Sequence, residues 1–152
     1  MEEKAGKGGN DVQIIGTIDI EKYCGAASGT IRSDILVLTE NQKEHIIKRR
    51  GAEFYEKYSQ YFSDIAKDPD YIFADESHTN TAIASKTIAS GGKNIHLVIK
   101  LALVEDERGI ENSIITAIVE GEKRYQQRLR NKIPLYKKES NGYNKDRIEP
   151  VT

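Results

Sequence analysis

The spacing of apolar residues changes character near the middle of the chain. Between Ala52 and Lys67, Phe54, Tyr58, Tyr61, Phe62 and Ile65 stand at i, i+4, i+7, i+8 and i+11, which is one face of a helix. An aromatic stripe at that spacing is core, and Asp68-Pro69 ends the helix because the residue before proline avoids the helical region. Just upstream, Thr39 with Gln42 three residues on is a capping signature and Gly51 is a C-terminal stop, so a helix is predicted from Thr39 to Arg50. From Tyr71 the period falls to two. Tyr71 to Ala74, Thr79 to Ile88, Asn94 to Val104 and Ser113 to Val119 read as strands. Turn chemistry joins them at Asp75-Glu76-Ser77, Ser90-Gly91-Gly92-Lys93 and Asp106 to Asn112. Alternation puts Ile95, Leu97, Ile99, Leu101 and Leu103 on one buried face, with His96, Val98, Lys100 and Ala102 on the other. In the preceding strand Ala82, Ala84, Lys86 and Ile88 oppose Ile83, Ser85 and Thr87.

The flanks are less regular. Val12 to Ile20 alternates weakly around Gly16 and reads as a short strand or extended arm, leading to a turn over Asp19 to Tyr23 and a loop from Cys24 to Gly29. Asp34 to Leu38 is an apolar run of strand length that feeds the capped helix. Glu122 to about Asn131 is a third helix, docked through Tyr125 and Leu129, and Asn131 to Lys138 is a short extended segment. Residues 1–10 are expected to form a flexible leader, 11–139 a single domain and 140–152 a polar tail. The predicted fold class is α+β: N-terminal helices packed on one face of an antiparallel four-stranded sheet, with a further basic C-terminal helix.

Charge sharpens this picture in one place. The formal net charge is -1, which is not the footprint of a dedicated nucleic-acid binder. Between Glu120 and Lys138, however, two acids face seven bases, a local +5 where a polyanion would dock. A solvated helical face would show the same composition. Cys24 is the single cysteine, so an intramolecular disulfide and a zinc-cysteine cluster are both excluded. No run approaches the roughly 20 apolar residues of a membrane helix, and the first ten residues lack a secretory apolar segment, so no membrane partner is expected.

Candidate chemistry gathers on the capped helix, where His45 and Arg49 share one face at i, i+4 and set an imidazole beside a permanent cation. Basic residues there also suit the helix dipole and need no function. His78 sits in a turn and reads as an exposed loop residue. His96 would supply a second imidazole only if its strand face meets the His45 helix. Lys86 lies among small residues, on either a functional or a solvated face. Ser113 and Thr116 differ by three and so point to opposite faces of a regular strand. No HExxH, EF-hand, dinucleotide or GxSxG pattern occurs, CGAASG lacks the end of a phosphate loop, and the acids lie in solvated turns, so neither metal nor cofactor is predicted.

A series of strings, each weak alone, occurs in a telling order: IIGTIDIEKY from Ile14, EHIIKRR from Glu44, KDPDYIFAD from Lys67, NTAIASK from Asn80, HLVIKLAL from His96, NSIIT from Asn112 and EKRYQQRLRNKIPLYKKE from Glu122. Over roughly Ile14 to Glu139 the chain resembles the phage-associated barnase, EndoU, colicin and RelE-like (BECR) nuclease domains. That resemblance implies helices on an antiparallel sheet and a metal-independent endoribonuclease that cleaves RNA by 2'-hydroxyl attack. It also implies a phage or mobile-element toxin of the bacterial cytoplasm. Its partners would be RNA, with tRNA among the candidates, and a protein inhibitor or host defence protein. The family pattern has a second histidine where Arg50 stands and commonly an arginine where Lys100 stands. The catalytic candidates are then His45, Arg49, Lys86, Lys100, Ser113 and Thr116. Arg50, Lys123, Arg124, Arg128, Arg130 and Lys132 would hold RNA. The alternative is a catalytically degenerate binding or anti-defence module that engages RNA or a host protein.

Overall fold

The computed structural model describes residues 11–88 and 93–139. The expected leader over residues 1–10, the tail over 140–152 and the glycine turn at 90–92 lie outside them. In chain order the elements are β1 (Val12–Thr17), α1 (Ile20–Tyr23), a 3-10 turn (Cys24–Ala26), β2 (Ile35–Thr39), α2 (Glu40–Arg50), α3 (Ala52–Tyr58), a second 3-10 turn (Ser59–Tyr61) and α4 (Phe62–Lys67). They continue with β3 (Tyr71–Ala74), β4 (Thr81–Ile88), β5 (Lys93–Lys100), β6 (Asn112–Glu120), α5 (Glu122–Asn131) and β7 (Tyr136–Lys137). The predicted helix over Ala52 to Lys67 is divided at Ser59–Tyr61, where the Gln60 side-chain amide donates to the Lys57 carbonyl at 3.0 Å. Tyr58 and Phe62 still reach the core on either side of the break.

The class is α+β, but the sheet has seven strands, not four, and it is mixed. Its order is β1-β2-β6-β5-β4-β3-β7. The antiparallel meander from β3 to β6 is its middle. Beyond β6 the sheet continues through β2, which runs parallel to it, and then β1; beyond β3 it ends in the short β7. The signal for an interior β2 is its composition. Leu36, Val37 and Leu38 are buried in succession, which happens only where both faces of a strand are covered. Asn112 fastens the parallel junction: its amide nitrogen donates to the Ser33 and Ile35 carbonyls at 2.8 and 2.9 Å, and its oxygen accepts from the Ala102 amide at 2.9 Å.

One face of the sheet carries the core. Ile46 of α2, Tyr58 of α3 and Phe62, Ile65 and Ala66 of α4 pack with Leu36, Leu38, Ala84, Leu97, Ile99 and Ala117. Each large apolar side chain buried this way contributes about 1.5–3 kcal/mol. Gly16 permits close approach at the edge, because a Cβ there would fall 2.5 Å from the Ser63 Oγ on α4. α2 is delimited as its sequence indicates: Thr39 Oγ1 accepts from the Gln42 amide at 3.1 Å, and Gly51 leaves the helix at φ 100°. The opposite face receives α5. Tyr125 sets its ring 5.7 Å from that of His96 and 6.1 Å from that of Tyr71. The helix then reaches the β3–β4 loop, where Lys132 pairs with Glu76 at 3.1 Å. Among the described residues no helix is long and apolar enough to cross a membrane.

Candidate active site

The sheet separates the predicted site residues into two groups. His45 and Arg49 are exposed on α2, on the helix-covered side. Lys86 is on that side too, with its ammonium donating to the Asp68 carbonyl at 2.7 Å and lying 3.4 Å from the Asp68 carboxylate. Lys22 and Lys138 converge on the same carboxylate, at 3.7 and 2.8 Å. The Lys138 hydrogen bond first, and then the nearby charge of Lys86, hold Asp68 below the ordinary carboxylate range. Lys86 therefore ties β4 to the end of α4.

Lys100, Ser113 and Thr116 come together on the other face. In a regular strand Ser113 and Thr116 would point apart. The β5–β6 register shifts between Val98 and Ile99, so that Thr116 lies opposite Val98 while Ser113 lies opposite Lys100. Val98 and Lys100 share a face of β5, and the bulge at Ile115 therefore turns both hydroxyl residues onto it.

Lys100 and Thr116 line a cavity of about 300 Å³ with Val98, Ile115, Thr81, Asp75 and His78. The last two come from the β3–β4 loop, whose form is set by its own hydrogen bonds. The Asp75 amide donates to the Thr81 carbonyl at 3.0 Å, closing the loop. Asp75 Oδ1 accepts from the Ser77 amide at 2.9 Å, and its Oδ2 lies 3.2 Å from His78 Nδ1. Asn80 takes a positive φ of 54° and anchors the loop through its side-chain oxygen to the Ser28 amide at 2.6 Å. A carboxylate only accepts, so Nδ1 carries the hydrogen, and in the neutral ring the lone pair is on Nε2. The His78 side chain is 72% exposed, which leaves the ring open to solvent. Lys100 reaches back to the Thr79 carbonyl at 3.2 Å. The cavity thus combines an oriented imidazole, an ammonium and a hydroxyl over an apolar floor.

His96 lies on the same face but in a different setting. It does not meet α2. Its Nε2 donates to Glu120 Oε1 at 2.7 Å, and its Nδ1 accepts from the Ser85 hydroxyl at 2.5 Å. Arg128 closes the network on both Glu120 oxygens, at 3.2 and 3.0 Å. Burial lowers the His96 pKa, against the opposing pull of Glu120, and keeps the ring neutral. Burial alone would raise Glu120, but the hydrogen bonds from Arg128 and His96 outweigh it and hold the carboxyl below its ordinary value. A serine, a histidine and a glutamate in series have the makings of a nucleophilic triad. Here Ser85 and His96 are almost wholly buried, and no substrate can reach the hydroxyl.

The basic candidates also divide. Arg50 Nε donates to the Ala117 carbonyl at 2.9 Å and pins α2 to β6. Arg128 is engaged by Glu120 and Lys132 by Glu76. Lys123, Arg124 and Arg130 are exposed along α5. Arg124, Arg128 and Lys132 share a shallow depression of about 190 Å³. Asp75 and His78 are not among the site residues expected from the sequence. Their signal was present in the Asp-x-x-His spacing, because an aspartate that starts a turn can also hold a side chain three residues on. No known family, curated protein or solved structure matches this chain.

Proposed function

We propose that this protein is a metal-independent endoribonuclease, a toxin of phage or mobile-element origin acting in the bacterial cytoplasm. The observation that carries the reading is the Asp75-oriented His78 in one cavity with Lys100 and Thr116. Cleavage by 2'-hydroxyl attack needs a base for the hydroxyl proton, a cation for the charge gathering on phosphorus, and an acid for the leaving oxygen. His78 Nε2 takes the 2' proton. The 2' oxygen bonds to phosphorus, the bond to the 5' oxygen breaks, and a 2',3'-cyclic phosphate and a 5' hydroxyl result. Lys100 offsets the phosphorane charge and delivers the proton to the departing oxygen, while the Thr116 and Ser113 hydroxyls donate to phosphate oxygens. Lys123, Arg124 and Arg130 hold the RNA backbone along α5.

The test is incubation with total RNA in excess chelator, reading 2',3'-cyclic ends. Cleavage that vanishes in His78→Ala and persists in His45→Ala supports the reading; RNA left intact at high protein concentration sinks it. A second reading, a binding or anti-defence module without catalysis, is favoured by one observation. His45 and Arg49 lie across the sheet from Lys100 and Thr116, so the six-residue constellation is not assembled. Intact RNA retained with a steep salt dependence would establish that alternative.

A further inference from the structure

Among the described residues, one buried side-chain polar atom has no hydrogen-bond partner: the Tyr125 hydroxyl. Tyr125 is 4% exposed, and a hydroxyl left unpaired at that depth costs free energy that a partner would recover. Tyr125 is also part of the wall of a cleft of about 380 Å³, within the range of small-molecule sites. Asp70, Tyr71, Thr87, Gln126 and Lys138 share that wall with Leu129 and Glu139. The Tyr71 ring stands edge-on to that of Tyr125, with centroids 6.1 Å apart.

Three donor groups of the cleft already have partners, while the Tyr125 hydroxyl has none. Lys138 gives its ammonium to Asp68 at 2.8 Å, Thr87 gives its hydroxyl to Asn94 at 2.6 Å, and Gln126 gives its amide nitrogen to Glu122 at 2.6 Å. Acceptor capacity remains on the Gln126 oxygen and on the Asp70 carboxylate, whose Oδ2 receives the Thr87 amide at 3.0 Å. Tyr71 adds a half-buried ring, stacked on Phe73 at 6.0 Å. A planar ligand with hydrogen-bond donors on its edge fits this chemistry. We propose that the cleft is a second subsite, at the far end of β4 from His78, that seats a nucleobase bearing an exocyclic amine: adenine, guanine or cytosine in preference to uracil. The inference rests on the ribonuclease reading for its choice of ligand.

Adenosine, guanosine, cytidine and uridine are suitable probes, because a nucleoside has no phosphodiester and is bound without being cleaved. Titration followed by amide chemical shifts is expected to move Thr87 and Gln126 with the first three and much less with uridine. Tyr125→Phe should weaken binding about tenfold, the worth of one hydrogen bond, while the thermal midpoint stays level or rises. A merely structural hydroxyl would lower the midpoint and leave binding alone. Gln126→Ala, at an exposed position, provides a second variant expected to lose affinity with the fold intact. Four outcomes overturn the proposal: no shift at Thr87 and Gln126, equal response to uridine, unchanged affinity in both variants, or the cleft filled by N-acetylarginine amide and not by nucleosides. Nucleoside binding is readable even if the protein cleaves no RNA, and its failure leaves His78-dependent cleavage standing.

Discussion

His78 and His96 both hydrogen-bond a carboxylate, at 3.2 Å to Asp75 and 2.7 Å to Glu120. The first side chain is 72% exposed and the second 1%. In each pair the carboxylate fixes the tautomer, so pairing alone does not distinguish catalytic from structural histidine. What differs is the second ring nitrogen. In His96 it is taken by Ser85 and sealed in, whereas the exposed His78 side chain lines a cavity with Lys100 and Thr116. The shorter, better satisfied pair is the one that holds β4, β6 and α5 together, and the looser one is left exposed.

The comparison is sharpest under substitution. His78→Ala is expected to reduce RNA cleavage by about 10²- to 10⁴-fold, the usual worth of an acid–base residue, while the thermal midpoint is nearly unchanged. Loss of folding instead of activity would reverse the assignment. His96→Ala should do the opposite. It leaves Glu120 and Ser85 without their partner and opens a void, at a cost of roughly 2–4 kcal/mol. Chemical denaturation will show whether the midpoint moves that far.

Acid separates the two next. The folded pKa of His96 lies below the ordinary 6.5, so between those values the unfolded chain binds the extra proton. The stability contributed by neutral His96 is thus complete above pH 6.5 and is lost as pH falls through the folded value. Glu120, with its folded pKa below 4.5, adds a further loss as pH drops beneath that point. Urea midpoints measured from pH 8 to pH 4 should fall along this course, and in His96→Gln the loss between pH 6.5 and pH 4.5 should be absent. A flat profile in the parent protein would count against the buried neutral ring.

The smallest effect is expected at Lys132. Its pair with Glu76 is exposed, so Lys132→Ala should change stability by about 0.5 kcal/mol or less. If α5 holds RNA, the same change should reduce the salt slope of binding by about 0.7, as for one phosphate contact on a single strand. An unaltered slope would remove Lys132 from the interface.

Much of this protein is written locally. Thr39 and Gly51 mark both ends of α2, Tyr125 and Leu129 mark the docked side of α5, and strict alternation sorts β4 and β5 into a core face and an opposite face. Those features depend on a residue and its neighbours within a turn or a pleat, which a sequence displays directly. Pairing between distant strands does not have that property. Whether Leu36 to Leu38 joins β6, and where Tyr136 and Lys137 hydrogen-bond, depends on backbone partners that no local period encodes. The bulge at Ile115 is decisive for the same reason. One unpaired residue reverses the expected separation of Ser113 from Thr116, and it is visible only once β6 lies beside β5. The sequence by itself determined the helices, the strands and their apolar faces. The tertiary structure decided which face α2 covers, and so why His45 stands apart from Lys100 while His78, carried in by a loop, stands beside it.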